Sequence, residues 1–198
     1  MITTLLWDLS EVLIAGLVGV EYTLAPQINQ PPQAILDGLG HEPLRQLCCN
    51  EINVAEYYCM VINQNDWHIP AAQLDTAIKD HFHTTIPGGI ALMKQLSEKY
   101  QCILVSDHGK EWTQYIRSAH RFFHHFEHCF FSWQLGTVKR DPLFFSTILS
   151  RCNLHPQNCL LIDDSEKNIA TANNLRIQGV RFASVADAAD RLRAILVS

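Results

Sequence analysis

Apolar positions follow two different regimes along this chain. From residue 88 onward, short apolar runs alternate with stretches of helical period. "GGIALMKQLSEKY" carries Ile90, Met93, Leu96 and Tyr100 on one stripe and predicts a helix. "EWTQYIRSAH" does the same with Trp112, Tyr115, Ile116 and Ala119. Between the helical stretches lie apolar runs of strand length: "CILVS" (102–106), "HCFFS" (128–132), "CLLID" (159–163) and "QGVRF" (178–182). "DPLFFSTILSRC" predicts a helix with Pro142 at an early position, and "SEKNIATANNL" predicts another. The last helix is expected to begin at Ser184, with Asp187 placed for a capping interaction. Near-continuous apolar strands alternating with helices predict a parallel sheet covered on both faces, and the opening run, residues 2–7, belongs to it.

Residues 15–87 differ. "PPQAILDGLG", "EPLRQLCCN", "NVAEYYCMVINQ" and "AAQLDTAIKDHFH" all have helical period and are separated by Pro, Gly and Asn, with no strand-length apolar run between them. The fold class read from the pattern is α/β: a Rossmann-like three-layer core with a parallel sheet at 1–14 and 88–198, and a small helical cap inserted at 15–87. Trp67, Tyr57 and Tyr58 in the insert fit either a pocket lining or helix packing, and the aromatics around 122–131 fit either an interface or a core strand with its flanks.

Composition narrows the function classes. With 47% apolar and 18% charged residues over 198 positions, the chain has enough apolar material for a sizeable core. A net charge of −5 and an isoelectric point near 6.0 argue against a nucleic-acid partner, and no polybasic cluster suits a membrane surface. Asp8 and Glu11 interrupt the early apolar residues and no basic region precedes them, which does not match a signal peptide. Seven cysteines without a CxxC pair read as reduced thiols in a cytoplasmic protein. The histidines, among them His81, His83, His120, His124, His125 and His128, form no metal-binding spacing and read as structural.

Chemistry concentrates at the carboxyl ends of the predicted strands, where ligands bind in open parallel sheets. Asp8, Ser106 and Asp163–Asp164 all stand there. The four stretches "WDLSEV", "ILVSD", "GTVKRDP" and "LLIDDSEKN" come in this order along the chain. In these four motifs the chain resembles the haloacid dehalogenase-like superfamily of hydrolases, over its whole length. It is most similar to the branch with sugar-phosphate phosphatases and the phosphatase domain of bifunctional epoxide hydrolases. The helical insert matches that branch's cap, and "NEINVAEYY" is similar to one of its cap-helix entries.

The resemblance implies a magnesium-dependent phosphatase acting on a small phosphorylated metabolite. Asp8 is implied as the nucleophile that becomes an aspartyl-phosphate. Mg2+ is implied on the Asp8 carboxylate, the Ser10 backbone carbonyl and the Asp164 carboxylate, the hard oxygen donors this ion prefers. Ser106 matches the hydroxyl that holds a phosphoryl oxygen, and Lys139 the lysine that neutralises charge between nucleophile and phosphate. Asp163 is implied behind the metal ligands, and Asn168 as a brace of the metal loop. Two departures stand out: Arg140 where the family often has Pro, and Asp107 where it often has Asn, adding negative charge beside a bound phosphate.

The larger departure is Ser10. Most phosphatases of this family carry an aspartate there, which protonates the leaving oxygen and later activates water. A hydroxyl is too weak an acid and base for this, and loss of such a group typically costs about 10² to 10⁴ in rate. Glu11 is the nearest replacement acid, although a solvated loop glutamate is the simpler reading. The expectation is therefore turnover limited to good leaving groups, such as anomeric sugar phosphates or acyl phosphates. The alternative is a catalytically weak member that binds a phosphometabolite or a protein partner. Dehalogenation fits poorly with the acid pair Asp163–Asp164. Phosphonate cleavage fits poorly with Lys79 as the one lysine of the insert, on an apparently exposed helix position.

Overall fold

Alternate side chains of the strands enter two separate apolar clusters, one on each face of a single sheet. Leu5, Trp7, Cys102, Leu104, Leu160 and Ile162 join one cluster; Leu6, Ile103, Val105, Cys159 and Leu161 join the other, against Phe144, Phe145 and Ile148. A strand buried on both faces needs apolar residues at successive positions, which accounts for the near-continuous runs in the sequence. The computed structural model describes residues 1–196. Its five strands are β1 (Thr4–Trp7), β2 (Gln101–Ser106), β3 (His128–Phe131), β4 (Cys159–Asp163) and β5 (Gln178–Arg181). All pair in parallel, in the order β3-β2-β1-β4-β5.

Five helices separate β1 from the rest of the sheet: α1 (Val20–Ile28), α2 (Pro32–Leu39), α3 (His41–Cys48), α4 (Val54–Gln64) and α5 (Ala71–Phe82). Four are the helices the period predicts; α1 is an addition. Pro26 lies inside α1 and masks its pattern, because proline cannot supply the amide that continues a helix. The helix stops three residues later at Asn29, in the left-handed conformation. The start of α4 is a capping box: Asn53 Oδ1 accepts the Glu56 amide at 3.0 Å, and Glu56 accepts the Asn53 amide at 2.8 Å.

After the insert come α6 (Gly89–Ser97), α7 (Lys110–Ala119), α8 (Ser132–Leu135), α9 (Pro142–Arg151), α10 (Glu166–Asn174) and α11 (Val185–Leu196). At the head of α11, the Ser184 hydroxyl accepts the Asp187 amide at 3.2 Å. The Asp187 carboxylate itself turns along the helix to Arg191 rather than back to the cap. No helix among the described residues is long and apolar enough to cross a membrane.

The chain enters and leaves the insert at one place. Ala15 donates to the Thr84 carbonyl at 2.8 Å and Ile86 to the Leu13 carbonyl at 3.0 Å, so the two crossings are zipped together. Gly89 lets α6 start against the loop after β1, since a Cβ there would lie 2.3 Å from the Val12 carbonyl oxygen. The insert does not have a separate core. Val20, Leu24, Ile35, Tyr57, Val61 and Phe82 belong to the same cluster as Trp7 and Leu104. Trp112 of α7 joins them: its ring is 5.3 Å from Tyr57 and 5.5 Å from Phe82, and its indole N–H donates to the Tyr58 hydroxyl at 2.9 Å. Tyr57, Tyr58 and Trp67 are thus buried packing residues. Phe122, Phe123, Phe126 and Phe131 are buried as well, which removes them as an exposed interface.

Candidate active site

The sheet order reverses at β1. From β1 the chain builds outward through β2 and β3 on one side, then through β4 and β5 on the other. A crevice forms where neighbouring strands diverge in this way. Trp7 pairs with Ile162 in register, so the next residues, Asp8 and Asp163, stand side by side at the ends of β1 and β4. The backbone continues the ladder one step, with the Asp8 amide donating to the Ile162 carbonyl at 2.9 Å.

Between these acids lies Lys139, whose side chain is 2% exposed. Its Nζ is 2.7 Å from Asp8 Oδ1 and 2.6 Å from Asp163 Oδ2. Burial alone would lower the lysine's pKa, but Asp163, Asp8 and Asp107 reverse this and hold it above the ordinary lysine value. Burial, then the neighbouring charge of Asp163, pushes the Asp8 carboxyl well above the usual carboxylate range, with Lys139 pulling the other way. Asp164 is raised by the same two causes in the same order. The Leu9 amide donates to Asp8 Oδ1 at 2.7 Å and fixes that side chain.

Asp163 is fully buried and its oxygens are already engaged. Oδ1 accepts the Ser165 amide at 2.9 Å and Asn168 Nδ2 at 3.0 Å, while Oδ2 takes Lys139. Asn168 braces this loop through Asp163. Asp164 is only partly buried, leaving it accessible beside Asp8. One oxygen each from Asp8, Asp163 and Asp164 lie within 4.8 Å of one another. Such a set of hard carboxylate oxygens fits a small divalent cation.

Asp107 turns toward the loop that carries Lys139. Its carboxylate receives the Lys139 amide, at 3.0 Å to Oδ1 and 3.3 Å to Oδ2, and so shapes the loop that carries the lysine. Burial pushes its pKa up to about 6. Asp107 also lines a cleft of about 860 Å³ between α3 and the loops after the strands. His41, Arg45 and Cys48 face this cleft from α3; Arg140, Lys167 and Asn168 face it from the sheet side.

Glu11 is not a solvated loop residue. Its backbone is left-handed, with φ 58°, and its Oε1 accepts the Gly16 amide at 2.8 Å. Gly16 has no room for a side chain, because a Cβ would sit 2.8 Å from Ser10 Cβ and 2.9 Å from Glu11 Oε1. Partial burial raises the Glu11 pKa. Its carboxylate is spent on holding the turn after β1.

None of the four motifs includes His108. This residue is 4% exposed, and its ring spans two hydroxyls of the site: Nδ1 is 2.8 Å from Ser106 Oγ and Nε2 is 3.3 Å from Ser10 Oγ. Burial, with the charge of Lys139, lowers its pKa to about 3, so the ring is neutral near pH 7. A spacing of two from Ser106 was the available signal, and it carries little information without the fold.

The molecule is a Rossmann-like α/β core whose parallel sheet gathers acids at the ends of its central strand β1 and the adjacent β4, around a buried lysine. The chain belongs to the haloacid dehalogenase-like hydrolase family, whose model matches residues 2–176. Among solved structures it is similar to a HAD family enzyme from Bacteroides thetaiotaomicron, in complex with magnesium and inorganic phosphate. That match has 21% identity and a TM-score of 0.77, and covers 93% of this chain and 96% of the other. It is also similar to a predicted HAD-like family hydrolase from Porphyromonas gingivalis, at 17% identity and TM-score 0.80, covering 100% and 99%. L-2-haloacid dehalogenase from Xanthobacter autotrophicus matches at 11% identity and TM-score 0.71, covering 100% and 85%. At these identities the structural matches speak for the fold.

Proposed function

We propose that the protein is a magnesium-dependent phosphatase of small phosphorylated metabolites, working through an aspartyl-phosphate on Asp8. The observation that carries this reading is the placement of Asp8: a buried carboxylate at the sheet's reversal point, oriented by the Leu9 amide and Lys139. Asp8, Asp164 and the Ser10 backbone carbonyl are the donors that would hold the ion. When bound, Mg2+ supplies positive charge next to the phosphoryl oxygens and the attacking carboxylate. The reading is supported by the similar Bacteroides protein, which is in complex with magnesium and inorganic phosphate.

In the first step an Asp8 oxygen forms a bond to phosphorus while the bond to the leaving oxygen breaks. Lys139 and the Ser106 hydroxyl balance charge on the phosphoryl group, and Asn168 with the Ser165 amide keeps Asp163 fixed under the lysine. In the second step water attacks phosphorus, inorganic phosphate departs and the Asp8 carboxylate is regenerated. Residues 15–87 act as the cap, and the cleft beneath α3 receives the leaving group. With Ser10 in place of an acid and Glu11 tied to Gly16, neither residue serves as general acid. Substrates whose leaving group departs without a proton are therefore favoured, namely anomeric sugar phosphates and acyl phosphates. Lys79 pairs with Asp75 at 2.7 Å, which speaks against a Schiff-base role.

The test is phosphate release with magnesium over a panel of anomeric sugar, acyl and alkyl phosphates, with Asp8→Asn alongside. Turnover confined to the first two classes and lost in the variant is expected. Folded, magnesium-loaded protein that turns over none of them favours a binding role for the site instead.

A further inference from the structure

We propose that His108 is a positioning residue for the phosphoryl site: as a neutral ring protonated on Nδ1, it donates to Ser106 and leaves the Ser106 proton free for the substrate. The inference rests on the phosphatase reading in taking Ser106 as a phosphoryl contact. His108 is held at its backbone by Ser132 and at its ring by Phe82. The His108 amide donates to Ser132 Oγ at 3.1 Å, that hydroxyl returns to the His108 carbonyl at 3.4 Å, and Phe82 packs edge-on at 5.7 Å. The hydrogen-bond partners of the ring are the two hydroxyls, with no carboxylate among them.

A neutral imidazole has one donor and one acceptor nitrogen. Protons along Ser10, His108 and Ser106 can therefore run in only two directions. With the proton on Nε2, Nδ1 is an acceptor, and Ser106 must give its hydrogen to the ring. Ser106 would then present only lone pairs to an anionic phosphoryl oxygen. With the proton on Nδ1, the Ser106 oxygen accepts from the ring and its own O–H faces outward as a donor. Nε2 is then the acceptor, and the partner it needs is a hydroxyl that donates. Ser10 is such a partner, whereas an ionised aspartate could only accept. Serine at this position thus permits the tautomer that arms Ser106, which an ionised aspartate would oppose.

Two measurements test this on the magnesium-loaded chain. Nitrogen-15 NMR of the His108 ring is expected to show the proton on Nδ1; a proton on Nε2 overturns the proposal without touching the phosphatase reading. Titration with inorganic phosphate is expected to show about ten- to a hundredfold weaker binding in His108→Phe, the loss of one hydrogen bond to a charged group. His108→Asn, whose amide N–H can stand near the Nδ1 position, is expected to recover most of that loss. Equal affinity in all three folded proteins overturns the proposal. A wild type that binds no phosphate overturns the functional reading and this one together.

Discussion

Lys139 Nζ lies 2.7 Å from Asp8 Oδ1, with both side chains all but removed from solvent. A cation so placed is indispensable to its neighbours, because a buried carboxylate left without its partner is strongly destabilising. Lys139→Met is expected to cost about 3–5 kcal/mol of stability in metal-free protein. Magnesium should recover part of this by supplying charge to the same acids, whereas turnover should stay at least about a hundredfold down. Thermal unfolding with and without magnesium, beside phosphate release, checks both halves.

The two adjacent acids should behave differently. Asp163 holds Lys139, Asn168 and the Ser165 amide, so Asp163→Ala is expected to lose about 3–5 kcal/mol whether or not magnesium is present. Asp164 has its pKa raised by burial and by Asp163, so neutralising it relieves repulsion. Asp164→Asn should unfold no earlier than wild type in a chelator and should lose the upward shift on adding magnesium. A retained magnesium shift would remove Asp164 from the ligand set.

Ser10→Asp separates proton donation from phosphoryl binding. An acid at this position should raise kcat for alkyl phosphates, by up to about 10². It should also raise KM, because an acceptor facing Nε2 draws the ring's proton away from Ser106. Steady-state kinetics on one alkyl and one acyl phosphate distinguish these effects. A gain in kcat with KM unchanged would mean that the two hydroxyls are not linked through the ring.

His108 also sets a pH dependence. Its folded pKa, about 3, is below the unfolded value of about 6.5, so its contribution to stability is complete above pH 6.5. As pH falls below 6.5, the unfolded chain binds the proton first, and stability declines by up to about 1.4 kcal/mol per unit. Denaturant midpoints of metal-free wild type should fall between pH 6.5 and 4 more steeply than those of His108→Asn. Parallel slopes would contradict this.

Much of the molecule was legible in the chain because burial on both faces forces apolar runs at strand positions. The inner strands β1, β2 and β4 follow from that constraint, the half-buried edge strands β3 and β5 show as shorter apolar stretches, and four of the five insert helices follow from their helical period. Helix α1 was hidden because its first turns are too short to show a period before Pro26 intervenes. The acids at the strand ends were visible by position. What Asp107, Glu11 and His108 do was not, because each task is set by a partner brought from elsewhere: Lys139 for Asp107, the Gly16 turn for Glu11, and Ser10 for His108.

The apolar cluster shared by insert and sheet has a bearing on how this chain could diversify. Trp112 projects from the sheet layer into Tyr57, Tyr58 and Phe82, and the Tyr58 hydroxyl passes the contact on to Asp75 at 2.9 Å. A recombination event that transplanted residues 15–87 from a cousin would strand this tryptophan against foreign side chains and bare the flank of Trp7 and Leu104. New specificity would thus come more readily from point changes along α3 than from exchange of the whole segment.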